Sequence, residues 1–312
     1  MRLRQTSIVL FLLLCFSAAL FAQQTAQQHM ARGNQYYKNK QYELAIVSFG
    51  EAIRLSSSAP EPWFNRGQAN FFAGNTSRAI ADYARATTLK PDYVDAWFQL
   101  GLAKNKNKDH KGAIAAYTRG IALAPSDAQF YYNRGIAHAA NASDDLALKD
   151  YDQAIKLNPN YTKAYVNRSG VYFRRKNYQQ ALSETNTALR LDRRYVEAWL
   201  NRATIYNNTG KPDLAIADCD QALRIDPRSA KAYLGRAIAN IMKKKNDLAF
   251  PDLDVAIRLD PAYLSAYVFR AALRFDTRQY ALSKSDMEQI LKLSPGHKFA
   301  TDMLARINAM AK

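Results

Sequence analysis

A step of 34 residues constrains this chain more than anything else in it. Moving by 34 from Gly33 one meets Gly67, Gly101, Gly135, Ser169, Ala203, Ala237 and Ala271, all small. A second column, Ala45, Ala79, Ala113, Ala147, Ala181, Ala215, Ala249 and Ser283, is also small throughout. A third runs Ala52, Ala86, Gly120, Ala154, Ala188, Ala222 and Ala256 before it breaks at Ile290. Large rings recur as Trp63, Trp97, Tyr131, Tyr165, Trp199, Tyr233 and Tyr267, and proline as Pro91, Pro125, Pro159, Pro227, Pro261 and Pro295. No insertion disturbs the phase from residue 26 to residue 297. A period of this length marks stacked copies of one supersecondary unit.

The columns have a direct physical reading. Small residues let two helices approach until the ridges of one fill the grooves of the other, and the rings fill the remaining space. An apolar column, Leu55, Leu89, Leu123, Leu157, Leu191, Ile225, Leu259 and Leu293, closes the second helix of each unit, and proline two residues later stops it. Each unit therefore reads as helix, short turn, helix, connector. A lone hairpin cannot bury its apolar face, so neighbours must stack.

Trp or Tyr, small, small, Tyr or Phe, small and Pro, in that order and at this period, resembles the tetratricopeptide repeat. The resemblance covers residues 26–297 in eight units: 26–59, 60–93, 94–127, 128–161, 162–195, 196–229, 230–263 and 264–297. It implies an all-α fold, a right-handed α-solenoid of stacked helical hairpins. Residues 298–312, with Phe299, Met303, Leu304 and Ile307 at helical spacing, read as a C-terminal capping helix.

Arginine forms one further column: Arg32, Arg66, Arg134, Arg168, Arg202, Arg236 and Arg270. Sixteen residues on stand Asp82, Asp150, Glu184, Asp218, Asp252 and Asp286, and the third unit lacks both partners, with Leu100 and Ala116. The spacing predicts intra-repeat ion pairs, each contributing about 0–1 kcal/mol if exposed.

The family resemblance also implies that first helices line a concave face on which an extended peptide or partner helix lies. The inward column of this sequence reads Asn65, Gln99, Asn133, Asn167 and Asn201, preceded by Phe64, Phe98, Tyr132, Val166 and Leu200. Amides offer a donor and an acceptor to a peptide backbone, and rings offer apolar anchoring. Phe71, Phe72 and Phe173 extend the apolar surface. The competing reading of the asparagines is contact between neighbouring repeats. A carboxylate clamp of the kind some family members use has its two asparagines in Asn34 and Asn65, but Met30, Asp95 and Gln99 stand where cations are required.

With 48% hydrophobic and 23% charged residues, the chain is too apolar for a disordered one. Its formal charge of +17 admits anionic partners. Many cations, among them Lys38, Lys40, Lys104, Lys106, Lys108, Lys111, Arg174, Arg175, Lys176, Lys243, Lys244 and Lys245, fall near the turns within hairpins. This predicts a basic edge, read either as solvated turns or as a docking site for an anionic envelope surface.

Residues 1–22 have a different composition. Arg2 and Arg4 precede an apolar run from Ile8, and Ser17, Ala18 and Ala19 follow: the layout of a signal peptide, cleaved after Ala19 or Ala22 or else retained as an anchor. A leader of this form points to export, to the periplasm of a bacterium, and argues against nucleic acid as partner. Beyond Cys15 the chain has one thiol, Cys219, in the column of Phe49, Tyr83, Tyr117 and Tyr151, which makes it a core residue. His29, His110, His138 and His297 have no zinc spacing, so no metal or other cofactor is expected. No phosphate loop, zinc-protease motif or nucleophile elbow occurs, and no small-molecule substrate or enzymatic activity is expected. The sequence thus predicts a non-enzymatic protein–protein interaction scaffold of the cell envelope. The alternative is an assembly factor or chaperone-like carrier of envelope or secretion-system components.

Overall fold

The computed structural model describes residues 25–310, and its only regular elements among them are helices. The predicted export segment lies outside the described residues. In chain order the helices are α1 (25–38), α2 (Tyr42–Leu55), α3 (Pro60–Phe72), α4 (Thr76–Leu89), α5 (Val94–Lys106), α6 (His110–Leu123), α7 (Ala128–Ala140) and α8 (Asp144–Leu157). They continue as α9 (Thr162–Arg174), α10 (Tyr178–Leu191), α11 (Val196–Asn208), α12 (Pro212–Ile225), α13 (Ala230–Met242), α14 (Asn246–Leu259), α15 (Leu264–Asp276), α16 (Tyr280–Leu293) and α17 (Lys298–Met310). Odd-numbered helices through α15 are first helices of hairpins and even-numbered ones are second helices. The chain divides into two compact units, one ending at Pro159 with α1–α8 and one beginning at Asn160 with α9–α17.

Every hairpin reverses by the same device. In the third, Lys108 N–H donates to the Asn105 carbonyl and Asp109 N–H to the Lys104 carbonyl, at 3.0 and 2.9 Å. These paired bonds satisfy carbonyls that the end of a helix leaves open, and they need one left-handed residue. That residue recurs every 34 positions: Lys40, Gly74, Lys108, Ala142, Lys176, Gly210, Lys244 and Arg278, with φ between 56° and 87°. Connectors between hairpins are held from the ring column instead. The indoles of Trp63, Trp97 and Trp199 donate to the carbonyls of Ser57, Pro91 and Arg193, six residues back, at 2.8 to 3.1 Å.

The two helices of a hairpin meet where a small residue faces the residue sixteen positions later. In the first unit the small residues are glycines, and a Cβ on Gly67 or Gly135 would stand 2.8 and 2.7 Å from the rings of Tyr83 and Tyr151. Gly33 and Gly101 face Phe49 and Tyr117 in the same way. In the second unit the column changes to Ser169, Ala203, Ala237 and Ala271, and the residues sixteen later shrink to Thr185, Cys219, Leu253 and Met287, all fully buried. Size is exchanged across the contact, as close packing requires.

Within each unit successive first helices touch directly, α3 with α5 and α5 with α7, then α9 with α11, α11 with α13 and α13 with α15. Among the described residues second helices make substantial contact only with the helices before and after them in sequence. First helices therefore form the tighter, inner row of each unit. At the end of the second unit α17 packs on α16, burying Ala300 and Met303 in a cluster with Tyr267, Met287 and Ile290, and Ile307 is buried as well. This is the capping helix that the apolar spacing predicts.

Two glycine substitutions test the packing rule. Alanine is favoured over glycine in a helix by about 1 kcal/mol. Gly170→Ala, whose Cβ meets nothing within 4 Å, is expected to stabilise by up to that amount. Gly67→Ala must displace the buried Tyr83 ring, an overpacking cost of about 1–3 kcal/mol, and is expected to destabilise despite the same gain. Denaturant unfolding of both variants, with opposite signs, is the check.

Candidate functional site

The arginine column frames the inner row. The Nε of Arg66, Arg134, Arg202, Arg236 and Arg270 donates to one carboxylate oxygen of Asp82, Asp150, Asp218, Asp252 and Asp286, and Nη2 to the other, at 2.7 to 3.1 Å. Arg168 makes both contacts to Oε2 of Glu184. The six expected pairs thus form, but they are not exposed: the six acids are buried, Asp286 to 3% exposure and Glu184 to 8%. Each guanidinium also lies 4.9 to 5.7 Å from the centroid of the ring three residues earlier. The hydrogen bond to Asp252, opposed by burial, holds Arg236 above the ordinary guanidinium range.

Several of these arginines reach backwards as well. Nη1 of Arg134, Arg202, Arg236 and Arg270 donates to Thr118, Asn186, Asp220 and Asp254, sixteen residues earlier on the second helix of the preceding repeat. One side chain therefore joins both helices of its own hairpin and the hairpin before it. In the third repeat Leu100 and Ala116 replace the pair and are buried at 4% and 2% exposure. Removing both partners together leaves no orphaned charge.

The amide column lies on the inner row, half-buried throughout. Asn65 Nδ2 donates to Asn34 Oδ1 at 3.2 Å, and Asn201 Nδ2 to the Val166 carbonyl at 3.4 Å, in each case to the preceding repeat. Asn133 Nδ2 instead donates to the Gln129 carbonyl of its own helix at 2.8 Å. The column therefore stitches repeats together as well as facing inward. Gln99 occupies the same row in the first unit and Asn167 in the second.

The apolar residues assigned to this face separate. Phe64 is 8% exposed, with its ring 4.9 Å from Tyr93 and 5.8 Å from Tyr83, so it is core and not a peptide anchor. It follows the ring column by one residue, and that step turns it into the hairpin interface. Phe98 and Tyr132, half-buried, rest on Phe130 and Tyr151. Phe72 is 58% exposed but sits at the turn end of α3, stacked on Tyr42, away from the amides. Phe173, also at a turn end, packs on Tyr178, and it lines a small hollow with Asn201.

The second unit holds a cavity of about 380 Å³ between α11, α13 and α15. Asn201, Asn207, Lys231, Gly235, Ile238 and Phe269 line it, with Cys219 beneath. Asn207 Nδ2 donates to the Gly235 carbonyl at 3.0 Å. Burial, then the Asp218 carboxylate, pushes the Cys219 thiol up to about 12, so it serves as an inert floor. Sequence reading that stopped the amide column at Asn201 missed this place. Two more steps of 34 give Gly235 and Phe269, where the loss of a side chain opens the notch and a ring walls it.

Models of the tetratricopeptide repeat match residues 33–74, the overlapping stretches 64–128, 98–162 and 132–186, and residues 196–229. The chain belongs to the tetratricopeptide repeat family. No curated protein matches it by sequence. Among solved structures, a tetratricopeptide repeat protein from Parabacteroides merdae superposes with a TM-score of 0.68 at 19% identity, over 81% of this chain and 100% of that one. The APC/C hetero-tetramer Cut9–Hcn1 gives 0.67 at 13%, over 89% and 55%. Pseudomonas aeruginosa pilF gives 0.59 at 18%, over 68% and 97%. At these identities the likeness is one of fold. Repeats of this family are typically non-catalytic scaffolds for protein–protein interaction.

The ion pairs yield a stability test patterned on the third repeat. Asp218→Ala alone leaves Arg202 half-buried without its carboxylate and is expected to destabilise by about 3 kcal/mol. Arg202→Leu combined with Asp218→Ala, which copies Leu100 and Ala116, is expected to recover most of that loss. Urea unfolding of the wild type, single and double variants measures the difference.

Proposed function

We propose that this chain is an exported scaffold of the bacterial cell envelope, resident in the periplasm, that holds an extended peptide or a partner helix against its first helices. The observation that carries the reading is the cavity of the second unit. It combines an amide rim (Asn201 and Asn207), a cation (Lys231) and apolar walls (Ile238 and Phe269) on the inner row of helices. Such a mixture fits one apolar side chain of a bound segment, with the buried, unpaired Oδ1 of Asn207 available to accept from its backbone and Lys231 available to an acidic neighbour. The charged start and short apolar run of residues 1–22 support export. The amide row of the first unit, Asn65, Gln99 and Asn133, offers a further stretch of the same kind, with Asn65 and Asn133 donating within the protein as Asn201 and Asn207 do.

In-cell crosslinking and pull-down from the native host tests this reading, with Asn201→Ala and Phe269→Ser combined. Phe269 is 36% exposed, so its loss leaves the core intact, and circular dichroism verifies the helices. One or two envelope proteins captured by wild type and reduced at least about tenfold in the variant are the expected result. Unchanged capture would remove the cavity from the binding site.

A further inference from the structure

The hairpin turns of the second unit carry a second pattern, unrelated to the inner row. Their left-handed residues are Lys176, Gly210, Lys244 and Arg278. Glycine suits this backbone best, and a side chain there is strained. Three of the four positions nevertheless hold long cations, all exposed and in no ion pair among the described residues. Four residues beyond the last three turns stand Leu214, Leu248 and Leu282, exposed by 47%, 50% and 50%. Asp213, the acid beside Leu214, is held by Lys243.

The hairpins of this unit share one length and one direction, and their first helices lie side by side. Their turns therefore share one edge, with a cation column and a leucine column running along it. Cations alone would suit any polyanion. A nucleic acid backbone has no use for the leucines, and one leucine per hairpin makes no continuous patch of the kind a protein interface buries. A bilayer uses both: cations sit over anionic headgroups, and isolated apolar side chains dip into the acyl boundary. No described helix is long and apolar enough to cross a membrane.

We propose that the turn edge of the second unit docks on the surface of an anionic lipid bilayer, through Lys176, Lys244 and Arg278 at the headgroups and Leu214, Leu248 and Leu282 below them. This reading is independent of the peptide cavity, which lies on the inner row.

The test is co-sedimentation of the full chain with vesicles of phosphatidylcholine alone or mixed equally with phosphatidylglycerol. The quantity read is the increment that phosphatidylglycerol adds, because the apolar stretch 8–22 is present in every arm. Lys176→Gly, Lys244→Gly and Arg278→Gly combined place glycine where the backbone favours it, so the fold is kept. This variant is expected to lose on the order of a hundredfold in the increment. Leu214→Ser, Leu248→Ser and Leu282→Ser combined keep every cation and are expected to lose about tenfold. The cavity variant, Asn201→Ala with Phe269→Ser, should bind vesicles as wild type does. Wild-type binding by the glycine variant overturns the proposal. Wild-type binding by the serine variant also overturns it, and equal displacement of both by heparin would then assign the edge to a soluble polyanion.

Discussion

The structure depends on how closely the two helices of each hairpin approach. That distance is set by one contact, a small residue on the first helix against the residue sixteen positions later on the second. Glycine against a ring in the first unit and alanine or serine against a smaller side chain in the second reach the same end with different volumes. Close approach then places each arginine within reach of its acid, and the acid, shut off from water, becomes a strong anchor for a planar bidentate fork. In the second and sixth repeats the ring beside the guanidinium, Trp63 or Trp199, also ties down the connector, so one aromatic serves two purposes. These contacts come from separate sequence columns, yet all require the same interhelical spacing.

The inner row inherits its properties from that packing. Amides at one position per repeat are drawn partly into holding neighbours together, Asn65 in the first unit and Asn201 in the second. Where the column lapses to Gly235, space opens and polar and apolar groups converge. The proposed binding place thus coincides with an interruption of the repeat, while Asn65 and Asn201, which obey it, join neighbouring repeats. The basic turns follow the same logic on another edge, since a cation in a left-handed turn is a departure from what the local backbone favours.

Much of this was legible in the sequence. The small columns, the rings, the proline stops and the sixteen-residue arginine–acid spacing specify hairpins without further information, because each is a local steric or electrostatic demand repeated along the chain. What the sequence could not supply was depth. The spacing pairs Asp82 and Asp218 with their arginines but does not say that these acids are buried, and Phe64 reads as an inward ring yet fills the hairpin interface. A shift of one residue on a helix turns a side chain by about 100°, enough to exchange groove for core. The cavity at Gly235 escaped because it is marked by a missing side chain, and a pattern search rewards what recurs. The leucines beyond the turns are visible as a column, but only their exposure separates them from the core.

The reach of the arginines has a kinetic meaning. Each reaches forward to an acid sixteen residues on, and Arg134, Arg202, Arg236 and Arg270 also reach back sixteen residues, so they link only adjacent hairpins, while the contacts of the small residues stay within one hairpin. Almost no stabilising contact within a unit spans a long loop, so little chain entropy is spent before the first contacts form. Folding can begin at any hairpin and spread to its neighbours. The third repeat, where leucine and alanine replace the charged fork, can join that spread without first desolvating an ion pair.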